Sequence, residues 1–141
     1  MNVHPYLNFD GHTEQAMRLY ARALGGTLGE IHRFGAMPAS GFELTDEQKQ
    51  RVMHVTLELP GGARIMASDT LPGMGAPWAA GNAYSISVHP DSREQADQIF
   101  AALSEGGTVT FPLADQFWGD YYGTLVDAFG VSWMINFHAS A

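Results

Sequence analysis

His54, Thr56 and Glu58 fall on one side of an alternating run over 52–59, and Val55, Leu57 and Leu59 fall on the other. A carboxylate beside an imidazole raises its pKa and can make it a general base near neutrality. The competing reading is a histidine satisfied by a neighbouring strand. The other histidines do not cluster: His12 and His89 adjoin turns, His138 lies near the end, His32 sits on a strand that can face either way, and His4 opens the chain. Phe117, Trp118, Tyr121 and Tyr122 gather near a turn, suited to stacking a planar ligand or a cation, or to sealing a dimer or a core. Trp78, in a glycine- and proline-rich stretch, admits the same choice between ligand platform, dimer contact and packing. Cysteine is absent, which removes disulfides, thiolate metal sites and a cysteine nucleophile. There is no G-x-S-x-G elbow, no P-loop and no glycine-rich strand-to-helix turn for a nucleotide or S-adenosylmethionine.

These residues have to be positioned by elements that occur twice. Glu14-Gln15-Ala16 recurs as Glu94-Gln95-Ala96, Leu19-Tyr20-Ala21 as Ile99-Phe100-Ala101, and Gly25-Gly26-Thr27-Leu28 as Gly106-Gly107-Thr108-Val109. A period of about 80 residues is too long for a solenoid and fits two fused modules. Ala16, Leu19, Tyr20, Ala23 and Leu24 make one face of a helix over 12–24, ended by Gly25-Gly26. Ala96, Ile99, Phe100 and Leu103 repeat it over 92–103, where Ser92 and Gln95 have capping-box spacing. Short alternating runs precede the helices at 7–9 and 84–88. Strands follow at 52–59 and 64–69 in the first half, and at 124–127 and 131–137 in the second. Each half reads as β-α-β-β-β. Two irregular stretches interrupt this, 34–51, with a short helix begun by Thr45 and Gln48, and 70–82, which links the halves.

The length suits one domain, 1–141, built of two modules at about 1–69 and 83–137 joined by the loop 70–82. The net charge of −8, without a basic stripe, argues against nucleic acid and is compatible with a neutral or cationic small ligand. No apolar run approaches the roughly 18 residues of a membrane span. With no signal peptide visible, a reducing cytoplasm is the expected location.

If the helices cover one sheet face, the opposite parity lines the other: His4, Tyr6, Asn8, His54, Thr56, Glu58, Met66, Ser68, Ser85, Ser87, Met134 and Asn136. A concave face with a few convergent polar groups is a ligand pocket by default, although antiparallel sheets often carry a merely solvated face.

Two such modules, with His4-Pro5-Tyr6-Leu7-Asn8-Phe9-Asp10-Gly11 at the opening, resemble the vicinal oxygen chelate superfamily of glyoxalases, bleomycin-resistance proteins and extradiol dioxygenases. The PhnB-like, glyoxalase-like branch is closer. Arg33-Phe34-Gly35, Val52-Met53-His54, Ser68-Asp69, Gly106-Gly107-Thr108-Val109, Phe117-Trp118-Gly119 and the long closing motif from Asp127 to Asn136 all look like that branch. The resemblance implies an α+β fold with a cupped mixed sheet, within a homodimer. In the superfamily's metalloenzymes it implies a divalent ion held by His and Glu from the first and last strands of each module. His4 matches one such position, but the others fall on Met66 or Ser68, Ala83 or Ser85, and Met134 or Asn136, whereas hard or borderline ions need imidazole and carboxylate.

The expectation is therefore a small-molecule-binding protein with no metal and no cofactor, its standard metal site not intact. The candidate ligand contacts are His4, Tyr6, Asn8, His54, Glu58, Met66, Ser68, Ser85, Trp118, Met134 and Asn136. Two alternatives stand beside it. One is a metal-dependent lyase, isomerase or dioxygenase using His4, His54 and Glu58. The other is a resistance-type protein that sequesters a drug and needs no catalytic residue.

Overall fold

The computed structural model describes residues 1–37 and 43–139. Pro38 and Gly41, which the sequence marks as loop, lie outside the described residues. The chain divides into two compact units, Met1–Ala79 and Ala80–Ala141, and each repeats one design.

In the first unit, β1 (Tyr6–Phe9) pairs in parallel with β5 (Arg64–Asp69), and β5 pairs antiparallel with β4 (Val52–Glu58). The short β2 (Thr27–Leu28) and β3 (His32–Arg33) both pair antiparallel with β4. Helix α1 (Thr13–Leu24) buries Thr13, Ala16, Met17, Leu19 and Tyr20, while Leu7, Phe9, Val55, Leu57, Ile65 and Ala67 form the buried side of the strands. Helix α2 (Asp46–Gln50) carries the full capping box between Thr45 and Gln48 that its spacing predicts.

In the second unit, β6 (Ile86–Val88) pairs in parallel with β9 (Ser132–His138). β8 (Asp120–Val126) lies antiparallel between β9 and β7 (Thr108–Asp115). Helix α3 (Arg93–Ser104) buries Ala96, Ile99 and Leu103, and Leu125, Trp133 and Ile135 are buried on the strands. Both sheets are thus mixed and the fold is α+β, with the strand order β1-β5-β4-β2 answered by β6-β9-β8-β7.

The repeated Gly-Gly pairs have a division of labour. Gly25 takes φ 71° at the end of α1, and Gly106 takes φ 72° just beyond α3, a left-handed conformation that side chains disfavour. The second glycine of each pair is needed for space. A Cβ on Gly26 would stand 2.7 Å from the Glu58 carbonyl oxygen, and one on Gly107 would stand 2.4 Å from that of Val126. The helix therefore returns to the sheet through a gap only glycine leaves open.

Five local expectations change. The box at Ser92 is half formed: its Oγ accepts from the Gln95 N–H at 3.0 Å, but Gln95 Oε1 accepts from Asp91 N–H at 2.6 Å instead of from Ser92. The strand expected at 84–88 begins at Ile86, and the one expected at 124–127 begins at Asp120, because pairing with β7 and β9 on both sides extends it beyond what its own pattern suggests. Leu59 lies past the end of β4 and is only half-buried. Finally, β4 carries a bulge: Arg33 pairs with Val52 and His32 with His54. Val52 and Val55 are both buried, and Met53 and His54 between them are both half-exposed. One extra residue resets the parity.

Candidate functional site

Each sheet leaves one face uncovered by its own helix. In the first unit that face is built from registered neighbours. Tyr6 pairs with Met66 and Met66 with Thr56, so these three form a row across β1, β5 and β4. His54, two residues before Thr56, reaches back over the row. Tyr6 Oη lies 3.1 Å from His54 Nδ1, His54 Nε2 lies 3.1 Å from Thr56 Oγ1, and the Tyr6 and His54 rings stack at 5.7 Å between centroids. With both ring nitrogens engaged, a neutral imidazole donates through one and accepts through the other. Asn8 pairs with Ser68 on β5; Asn8 is exposed and Ser68 half-buried. The backbone carbonyl of Asn8 accepts from Trp78 Nε1 at 2.8 Å, so Trp78 covers the outer edge of β1.

Glu58 does not join His54. Its carboxylate pairs with Arg64 at 2.9 Å, directly across the β4–β5 ladder. His32, which sequence reasoning could not orient, stands opposite His54 in the β3–β4 register. His4 is half-buried just before β1.

The second unit's open face holds the row Ser87, Met134 and Thr124 across β6, β9 and β8, then Asn136 opposite Tyr122 and His138 opposite Asp120. Ser87 Oγ lies 3.0 Å from His89 Nε2, and Ser85 is exposed just before β6. Asp120 is a polar hub. His138, Asn136 and Trp118 hydrogen-bond its carboxylate, and His138 above all holds its carboxyl below the usual aspartate range. Phe111, Tyr122, Trp118 and Phe117 make a run of rings, with successive centroids 6.1, 6.0 and 5.0 Å apart. Trp118 was legible as an aromatic beside a turn. Phe111 and Asp120 were not, because only the β7–β8 pairing brings them to the same face.

Tyr121, one residue from Tyr122, turns the other way. Its hydroxyl donates to Asp97 Oδ1 at 2.5 Å, and the Arg93 guanidinium lies 4.1 Å from its ring centroid. Arg93 in turn pairs with Asp115 at 2.5 Å. The hydrogen bond to Asp97 raises the phenol's pKa.

A separate cleft of about 410 Å³ opens in the first unit among Glu14, Arg18, Arg33, Glu47, Arg51 and Asp69. Its arginines are already matched. Glu14 takes Arg18 at 2.8 Å and Arg33 at 2.7 Å, while Arg51 takes Asp10 and Glu47, each at 2.8 Å. Arg33, and then Arg18, hold the Glu14 carboxyl below its ordinary range. None of the sequence candidates lines this cleft; its ion pairs tie α1 to β3 through Arg33, and α2 to the turn after β1 through Arg51.

Among the described residues no group of three or more His, Asp or Glu side chains could hold a metal ion. Among the described residues no helix is long and apolar enough to cross a membrane.

Comparison with known proteins places this geometry. A family model described as 3-demethylubiquinone-9 3-methyltransferase matches residues 1–136. The crystal structure of protein PA1353 from Pseudomonas aeruginosa is 38% identical, covers 99% of both chains and superposes with a TM-score of 0.87. A PhnB protein from Bacillus cereus is 24% identical over 97% of this chain and 99% of its own, with a TM-score of 0.77. A glyoxylase/bleomycin resistance protein/dioxygenase domain from Frankia sp. EAN1pec is 15% identical over 99% of this chain and 98% of its own, with a TM-score of 0.66, and shares the fold.

Proposed function

The chain belongs to this PhnB-like family, of glyoxalase/bleomycin-resistance fold, and from that premise we propose that it binds a small organic molecule on an open sheet face. In this reading the two modules act as one domain, in a cytoplasmic homodimer. The observation that carries it is the Tyr6–His54–Thr56 chain. It fixes the orientation of an imidazole on an uncovered sheet face, as a recognition group requires. Tyr6, Asn8, Ser68 and Met66 supply adjacent hydrogen-bonding and soft apolar surface, and Ser85, Met134, Asn136 and Trp118 do so in the second unit.

The enzyme reading built on His4, His54 and Glu58 draws less support. The carboxylate that would activate His54 is engaged by Arg64, and both imidazole nitrogens already have partners. The methyl transfer in the family's description draws no support from the glycine pairs: both follow helices, and the sequence has no glycine-rich strand-to-helix turn of the kind that cradles an S-adenosyl cofactor. Sequestration of a drug, which needs no catalytic group, is compatible with the binding reading.

A thermal-shift survey of chemically varied small molecules tests the proposal. At least one compound should raise the melting temperature saturably, and His54→Ala should abolish that shift while costing the free protein less than about 1 kcal/mol. Leu57→Ala, fully buried, should cost about 2–5 kcal/mol through its cavity and keep the shift. If His54→Ala destabilises as much as Leu57→Ala and leaves binding intact, His54 is a packing residue and the reading fails.

A further inference from the structure

Neighbouring tyrosines on β8 show two versions of one arrangement. Tyr121 has its cation built in, with Arg93 over the ring and Asp97 and Asp115 beside it. Tyr122, on the opposite face, has aromatic walls and an acid but no guanidinium or ammonium in ring contact among the described residues. Phe111 and Trp118 flank it at 6.1 and 6.0 Å, tilted 56° and 63° to its plane. Rings inclined in this way cannot all stack flat on one planar guest, but they can present their electron-rich faces toward a compact one. Phe111 and Trp118 remain 48% and 50% exposed. The Asp120 carboxylate accepts from Trp118 Nε1 at 3.2 Å, so it fixes the indole and places negative charge at its rim.

Resting on the small-molecule reading above, we propose that Phe111, Tyr122 and Trp118 form an aromatic half-cage for a methylated ammonium group, with Asp120 as its counter-charge. Such a cation is weakly hydrated, so leaving water costs it little, and the quadrupoles of several rings attract it. A primary ammonium would lose stronger hydration. The net charge of −8 favours a guest of opposite sign. The groups facing the cage are Asp120, its partners His138 and Asn136, and Thr124 opposite Phe111. His138 is the one other titratable group among them.

The test compares choline with the neutral alcohol in which carbon replaces its nitrogen, a pair of equal shape and different charge. Binding to the full chain is followed by the indole N–H resonance of Trp118 in two-dimensional NMR, identified by its loss in Trp118→Phe. About pH 8 keeps imidazoles at large neutral. Choline should shift the resonance saturably, and the neutral alcohol should bind roughly tenfold more weakly. Phe111→Leu and Asp120→Asn should each weaken choline several-fold, and Tyr121→Phe, on the other face, should leave it unchanged. Equal binding of both probes would make the patch merely apolar, and no binding of either would exclude the cage; each overturns the proposal. So would concentration-dependent self-association that Phe111→Leu abolishes and choline does not compete with. Choline failing while other small molecules still bind in the thermal survey would refute the cage alone and leave the binding reading standing.

Discussion

The two units share a strand order and a helix but cap that helix and use their buried aspartates differently. In the first, the buried Asp69 accepts from Gly11 N–H at 3.0 Å, Thr13 N–H at 3.1 Å, Thr13 Oγ1 at 2.7 Å and Val52 N–H at 2.8 Å. One carboxylate at the end of β5 therefore caps α1, whose own cap position, His12, supplies no side-chain hydrogen bond to the helix backbone, and also anchors the start of β4. In the second, Asp127 accepts, among its contacts, from Phe129 N–H, Val131 N–H and Trp133 Nε1 of the turn and strand that follow it. Here the helix is capped locally by Ser92. The first unit has the long 34–51 excursion to secure, and a carboxylate reaching across the fold secures it. The second has a tight β8–β9 turn, and its aspartate organises that turn.

The open faces differ in the same sense. The first is internally satisfied through Tyr6, His54 and Thr56, with Glu58 matched by Arg64. The second gathers exposed rings around an acid. Duplication has preserved the framework of strands and glycines while the two faces carry different surface chemistry.

The largest expected effect comes from breaking the long-range keystone. Asp69→Ala strands two buried backbone donors and a hydroxyl, and should cost about 3–5 kcal/mol. Chemical denaturation of the variant measures the loss, and a cost below about 1 kcal/mol would remove Asp69 as the anchor of α1 and β4. The glycine pairs come next. Gly107→Ala and Gly26→Ala should each cost about 1–3 kcal/mol through backbone displacement, with Gly107 the worse because its Cβ would meet main-chain atoms at 2.4–2.9 Å. At Gly26 part of the crowding comes from the Leu57 and Leu59 side chains, which can move. A reversed order would mean that β8 gives way more easily than β4.

The smallest effect sharpens the comparison by pH. Glu14 has a depressed folded pKa, owing first to Arg33 and then to Arg18. Its contribution is therefore present above the ordinary glutamate value of about 4.5 and is lost as pH falls through the lower folded value. Glu14→Gln should lower the melting temperature slightly at neutral pH, and the gap should close on acidification below about 4.5. A gap that persists at low pH would show packing rather than charge.

Sequence alone determined what depends on neighbours along the chain. The amphipathic periods placed α1 and α3 within a residue of their ends, the Thr45–Gln48 spacing gave a real capping box, and the strand parity put Val55 and Leu57 inward and His54 and Thr56 outward. The Gly-Gly repeats marked the same geometric need twice. Tertiary structure decided whatever depends on a partner from another strand. The bulge at Met53 exists because β3 pairs across it, so alternation counted along β4 alone misses it. Glu58 went to Arg64 and His54 to Tyr6 because the register of β4, β5 and β1 sets those distances. Phe111 joined Tyr122 and Trp118 only through the irregular β7–β8 ladder. A side chain's face is written in the period of its own segment, but its partners are fixed by which strands lie alongside and in what register, and no residue in the segment carries that information by itself.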